Sequence, residues 1–306
     1  MDFATTTVVL FSILLPTKTW FAPDQPLLID VRPDGNAPVT LVLTDFAGKP
    51  FEAKGDAAVT EARQVDLRQL FETLSQPGTY ILYAVPSGQD LKKFVGTPLL
   101  LSLRADTRRD APPGVMVVKV EPLCYAVMST DKGDMTIAFY YDVAPHTAST
   151  FLDLARGGFY DGLSFHRIVP EFVIQSGDPR GDGTGGPGYT INAEFSDREH
   201  DVGVLSMARE GDPIEKQGAM PRREWADSAG SQFFICLKRE RTRQLDRRYT
   251  VFGRVVEGLD VVAAIGATPV GGETRDVPEE RREIRTVKVL PVSADKNPYE
   301  GLLKVH

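Results

Sequence analysis

Short apolar runs separated by turn clusters dominate the first 120 residues. Stretches 8–14, 27–31, 39–43, 79–85, 98–104 and 115–120 are rich in β-branched or aromatic residues. Pro33-Asp34-Gly35-Asn36, Gly48-Lys49-Pro50, Gln76-Pro77-Gly78 and Pro86-Ser87-Gly88 punctuate them. Regular short strands with such punctuation predict a β-sandwich over residues 1–121. One patch has helical spacing: Leu67, Leu70, Phe71 and Leu74 recur at i, i+3, i+4 and i+7, so a helix is expected over 67–74. The polar stretch 105–114 reads as a hairpin tip between two matching strands, which places the domain boundary at Glu121-Pro122.

After Leu123 the texture changes. Runs 124–130 and 135–141 flank Asp131-Lys132-Gly133, a hairpin signal. Pro145 suits the first turn of a helix, where its missing N–H costs nothing. Ala148, Phe151, Leu152 and Ala155 form one apolar face, and Gly157-Gly158 stops the helix. A second helix is expected over 258–265, with Leu259, Val262, Ala263 and Ile265 apolar. Strands and glycine loops fill the rest. Residues 122–294 are therefore expected as a second β-rich domain, with 295–306 as a short tail.

The length of 306 residues accommodates two domains. With 35 Lys+Arg against 42 Asp+Glu, the formal charge is −7, which argues against a nucleic-acid partner, since phosphate binding needs a basic face. Cys124 and Cys236 lie in separate apolar runs without metal-ligand spacing and read as buried thiols. Residues 8–15 are apolar, but only Asp2 among charged residues precedes them, no small-residue cleavage site follows, and the run is too short to span a bilayer. A soluble cytoplasmic protein with no membrane span is expected. The first 121 residues contain no His or Cys and no catalytic constellation. Their pattern suggests an immunoglobulin-like packing or interaction module of undetermined partner.

Residues 181–186 match GxGxxG, the dinucleotide fingerprint. That mechanism needs a helix directly after the loop to hold the pyrophosphate. Pro187, Gly188, Tyr189, Thr190 and Ile191 cannot open one, so the loop is read as structural and no cofactor or metal is expected. His146, His200 and His306 sit in polar contexts and are expected in solvent.

The informative run is Phe165 to Asp178, FHRIVPEFVIQSGD, two strands interrupted at Pro170-Glu171. Strand alternation puts Phe165 with Arg167, and Val173 with Gln175. In Ser231-Gln232-Phe233-Phe234-Ile235-Cys236 it puts Gln232 with Phe234 on one face and Phe233 with Ile235 on the other. If these faces meet, one surface combines a guanidinium, two amides and apolar side chains. An isolated arginine would ordinarily be a plain surface residue.

FHRIVPEFVIQSGD, then GTGG, GVLSMA, GSQFFI and LDRRYTVFGRVVEGLDVV, resembles the cyclophilin family of peptidyl-prolyl isomerases over residues 123–292. The resemblance implies a closed eight-stranded β-barrel capped by two helices, acting on X–Pro bonds in proline-containing polypeptides without cofactor or metal. It implies Arg167 as the catalytic arginine and Phe172, Val173, Phe234 and Leu245 as proline-pocket positions. Gln175 and Gln232 match substrate-positioning amides, Gly183 and Ala208 line the groove, and His166 is buried support beside the arginine. Several positions depart from the pattern. Gln244 replaces a frequent tryptophan, which implies weak binding of cyclosporin-like macrocycles. Arg209 and Glu210 replace small residues at the substrate rim, Val173 replaces methionine, and Tyr249 replaces histidine. Segment 211–228, with Trp225, exceeds the usual loop. Lys238 to Arg248 form a basic cluster, read as a solvated loop that could steer acidic clients. A non-catalytic module that docks proline segments is the alternative open at this point.

Overall fold

The computed structural model describes residues 13–23, 25–34, 37–105, 116–217 and 219–302. Most of the expected strand 8–14, all but Ala105 of the hairpin tip at 105–114, and His306 lie outside the described residues. The chain divides into two compact units, Met1–Leu123 with Pro291–His306, and Cys124–Leu290.

The first unit is built of antiparallel sheets. Leu14–Pro16, Leu28–Val31 and Arg63–Asp66 make one. Trp20–Phe21, Met116–Pro122, Val95–Ala105, Gly78–Pro86, Val39–Asp45 and Pro50–Phe51 follow in that order in the other, with Ala58–Val59 also on Val39–Asp45. Ile29 and Val31 of the smaller sheet share one buried cluster with Leu41, Leu43, Leu82 and Leu101 of the larger. Arg63–Asp66 carries no apolar alternation to betray it; backbone pairing to Leu28–Val31 recruits it.

The continuous helix expected over 67–74 is instead a short α-turn, Leu67–Leu70, and a 3-10 turn, Glu72–Ser75, separated by an extended Phe71. The break has a visible cause. The Leu70 carbonyl, which a continuous helix would offer to Leu74 N–H, accepts from Lys54 N at 2.8 Å, and Leu74 N donates to Phe71 O instead. The segment expected as a tail contains the helical turn Tyr299–Leu302, whose fully buried Tyr299 packs edge-on to Phe46 with ring centroids 6.0 Å apart. A large buried aromatic ties it to the first unit's core.

The second unit is an eight-stranded curled antiparallel sheet, ordered Arg167–Val169, Val173–Ser176, Phe233–Cys236, Val204–Met207, Val251–Glu257, Gly133–Phe139, Cys124–Thr130 and Ile284–Pro291. Helices Pro145–Arg156 and Leu259–Gly266 lie within a residue of expectation. The first has no side-chain cap of its own; the Glu194 carboxylate accepts from His146 N at 3.2 Å and Thr147 N at 2.9 Å, placing negative charge at the positive helix end. Its buried Phe151 stacks on Tyr160 at 4.7 Å and meets Phe233 at 5.5 Å, so this face closes the core. At the ends of the strand order, Phe165 N donates to Arg282 O at 2.9 Å and Ile284 N to Leu163 O at 2.8 Å, beside a bridge between Ser164 and Glu283. Both cysteines are buried, as the sequence suggests. Among the described residues no helix is long and apolar enough to cross a membrane.

Candidate functional site

Antiparallel pairing aligns residues across neighbouring strands, and alternation sends adjacent rows to opposite faces. Arg167 pairs with Gln175, Gln175 with Phe234, and Phe234 with Ser206. The next row, Ile168, Ile174, Ile235 and Leu205, is completely buried. A core row therefore holds a polar row rigidly in place. The alternation of Gln232 and Phe234 against Phe233 and Ile235 is as the sequence predicts. Phe165 is not: it lies before the strand begins and is fully buried, whereas the Arg167 side chain keeps 40% exposure.

Arg167 is held from two sides. Its Nε donates to Asp276 Oδ2 at 2.8 Å and its Nη1 to Gln175 Oε1 at 3.2 Å. Among the described residues no protein acceptor takes the Nη2 protons. The Thr274 hydroxyl, with Arg167, keeps the Asp276 carboxyl below the usual range despite partial burial. Gln175 Nε2 donates to Gln232 Oε1 at 3.0 Å, and Gln232 Nε2 donates to Gly183 O and Gly185 O, each at 2.9 Å. The Gln232 amide is thus a strut for the glycine loop.

That loop is organised by its own acid. Burial would raise the Asp178 carboxyl, but N–H groups of Arg180 (2.7 Å) and Gly183 (2.6 Å), with those of Gly185 and Gly181, outweigh burial and hold it low. A Cβ at Gly185 would stand 2.0 Å from Asp178 Oδ1, so the loop needs glycine there for packing. No helix follows the loop, as the sequence reading requires. A groove runs beside it, lined by Gln175, Gly183, Tyr189, Ala208, Glu210 and Gln232.

Beyond Gln175, Phe234 meets Tyr249 edge-on at 5.7 Å and stacks on His200 at 6.1 Å. Val173 is buried; Phe172, in the hairpin turn, and Leu245, ending the turn Arg243–Leu245, are half-buried. His200, expected in solvent, is completely buried. Its Nδ1 lies 3.0 Å from Asp246 Oδ1 and its Nε2 3.1 Å from Ser206 Oγ, so satisfied hydrogen bonds permit the burial. His146 is exposed as expected. His166 is half-buried, with both ring nitrogens shielded from solvent.

Burial pushes His200 below its ordinary value against the opposing pull of Asp246, and burial lowers His166 too. Near the unperturbed value of about 6.5 the unfolded chain therefore binds more protons at these sites than the folded one. Their contribution is intact above that pH and is lost as pH falls below it. The urea midpoint should drop between about pH 7 and pH 5, and His200→Gln should flatten part of that slope. A midpoint constant across the interval would contradict the expectation.

Arg209, expected at the rim, lines the groove, but its side chain is only 2% exposed and is bonded to Glu215, which makes it a buried member of the wall. Glu210 is exposed. Arg222 lies over the Trp225 ring at 5.9 Å, holding Trp225 within segment 211–228. Much of the basic cluster is also engaged: Lys238 pairs with Glu171, Arg239 with Asp246 and Glu199, and Arg247 with Asp197. Asp276 went unnoticed in the sequence because it stands 109 residues from its partner, in no motif.

A family model described as Cyclophilin type peptidyl-prolyl cis-trans isomerase/CLD matches residues 125–289. A peptidyl-prolyl cis-trans isomerase of Synechococcus elongatus is 42% identical over 142 residues, 46% of this chain and 87% of its own length. Peptidyl-prolyl cis-trans isomerase B of Bacillus subtilis is 41% identical over 147 residues, 47% of this chain and 92% of its own. A solved cyclophilin type isomerase of Cryptosporidium parvum is 26% identical, spans 55% of this chain and 98% of its own, and superposes with a TM-score of 0.48.

Proposed function

The chain belongs to the cyclophilin-type peptidyl-prolyl cis-trans isomerases, and from that premise we propose that Arg167 drives rotation about an X–Pro bond whose proline ring is held against Phe234. The family's activity is the isomerisation of that bond in proline-containing peptides.

Amide resonance sets a barrier of about 18–20 kcal/mol, and uncatalysed exchange takes about tens to hundreds of seconds. Bringing that to about 10 turnovers per second needs roughly 10³-fold, or about 4 kcal/mol. In the planar amide the prolyl nitrogen has no lone pair to offer. In the twisted transition state it regains one, and a guanidinium N–H donated to it stabilises that state alone, which is the condition for acceleration. The bond is charge-assisted, hence strong, and apolar walls strengthen it further. Those walls are assigned to Phe172, Val173, Phe234, Leu245 and Tyr249. Gln175 retains one amide N–H for the substrate backbone, while Gly183 and Ala208 border the groove.

The observation that carries this reading is the register Arg167–Gln175–Phe234 across three strands, with Asp276 aiming the guanidinium. We further read the curled sheet as a closed barrel capped by its two helices, on the hydrogen bonds joining its ends. The first unit is read as an immunoglobulin-like sandwich, on the core its two sheets share. Adding an alanine–proline peptide should shift the backbone amides of Arg167, Gln175, Gln232 and Phe234 in NMR spectra, with exchange cross-peaks between the peptide's cis and trans forms. Binding confined to other residues would overturn the placement.

A further inference from the structure

The buried guanidinium of Arg209 has all five N–H groups committed. Nη1 donates to Glu215 Oε2 at 3.0 Å and Glu210 O at 2.8 Å. Nη2 donates to Glu215 Oε1 at 2.6 Å and Arg248 O at 3.0 Å, and Nε donates to Arg248 O at 3.1 Å. The guanidinium carbon sits 4.3 Å from the Tyr249 ring centroid, and Tyr249 stands edge-on to Phe234. Arg209 thus holds Tyr249 twice, through its ring face and through the carbonyl of the residue before it.

We propose that Glu215, supplied by segment 211–228, is a positioning residue for the proline recess, acting through Arg209 to fix Tyr249 against Phe234. This rests on the reading above that Tyr249 and Phe234 wall that recess.

The physical logic is that of a satisfied buried cation. A guanidinium with 2% exposure is tolerated there because a bidentate carboxylate neutralises it and three carbonyl contacts take the remaining protons. Without the Glu215 carboxylate, two N–H groups of a buried charge lose their partner, and the side chain leaves for solvent. Tyr249 then loses both its stacking partner and the bond to its neighbouring carbonyl.

The carboxylate is itself anchored. Asp212 N donates to Glu215 Oε2 at 3.1 Å, and the fully buried Asp212 side chain accepts from Arg222 Nε and Nη2, each at 2.9 Å, and from Arg222 N at 2.8 Å. Arg209 keeps the Glu215 carboxyl below its ordinary value, so it is ionised under assay conditions. Asp212, Glu215 and Arg222 thereby brace the recess wall from behind Arg209.

Steady-state kinetics on an alanine–proline peptide separate the outcomes. Glu215→Gln and Glu215→Ala should raise KM by about three- to tenfold with kcat within about twofold, because substrate grip is loosened while Arg167 keeps its tether. Tyr249→Ala should raise KM comparably, and Glu215→Gln combined with Tyr249→Ala should add little, as residues acting in series do. If Tyr249→Ala raises KM while folded Glu215 variants leave it unchanged, the relay is overturned and the recess stands. If Tyr249→Ala itself leaves KM unchanged, the recess assignment falls and takes the relay with it. A Glu215 variant that loses thermal stability at unchanged KM would reduce the residue to a loop staple and likewise overturn the proposal.

Discussion

Arg167→Ala should slow catalysed exchange of an alanine–proline peptide by about a hundredfold or more, with affinity for the peptide changing far less. The isomerase must supply roughly 4 kcal/mol in all, and a preorganised donor to a charge or lone pair that develops in the transition state is worth about 3–4 kcal/mol in comparable sites. The arginine is thus asked for most of the acceleration and little of the binding. Geometry supports that split. Asp276 at Nε and Gln175 at Nη1 hold the side chain, which leaves Nη2 to donate. Removing the arginine leaves Phe234 stacked on His200 and edge-on to Tyr249, so the apolar grip survives. A chymotrypsin-coupled assay or NMR exchange reads the rate, and a titration reads the affinity. A wild-type rate in the variant would refute the assignment.

Gly177→Ala should be among the most destabilising single-methyl changes in the second unit. Gly177 adopts φ +88°, and a Cβ there would lie 2.3 Å from Ser231 O and 2.9 Å from Gln232 Cα. The left-handed backbone alone costs an alanine about 1 kcal/mol, and forcing atoms into filled space adds about 1–3 kcal/mol. The chain cannot move aside cheaply, because Ser231 Oγ donates to Gly177 O at 2.7 Å and Ser176 pairs with the buried Phe233. A loss of about 2–4 kcal/mol should lower the unfolding midpoint of this unit by roughly 5–15 °C. Because Gln232 would be displaced, the glycine loop it braces should loosen and KM rise as well. A thermal midpoint within a degree of the parent would show that the two strands can separate at no cost, contrary to the close approach of Gly177 to Ser231.

Local pattern made the two long helices, many of the strands and the facing of Gln232 and Phe234 legible, because periodicity reports which side of an element is buried. It was silent on Arg63–Asp66, whose single core residue, Val65, shows no alternation while the backbone and Gln64, bonded to Asp30, pair it to Leu28–Val31, and misleading on residues 67–74, where Lys54 captures the carbonyl that would have continued the helix. His200 misled in the same way. Its neighbours Glu199 and Asp201 are charged, yet hydrogen bonds to Asp246 and Ser206 bring it inside. For the site, the motifs named Arg167, Gln175, Gln232, Phe234 and Arg209, but neither Asp276, which holds Arg167, nor Glu215, which holds Arg209.

The order of motifs by itself determined that this chain carries a cyclophilin-type domain, and the alternation of its strands determined that Arg167, Gln175 and Phe234 could share a face. Only the tertiary structure decided what holds them there: Asp276 on the arginine, Gln232 on the glycine loop, Glu215 and Arg209 on Tyr249. The reason is physical. Facing is set by torsions within a few residues and so is written locally. The partner of a charge is whichever group the folded chain carries within hydrogen-bond distance, and no run of neighbouring residues encodes that.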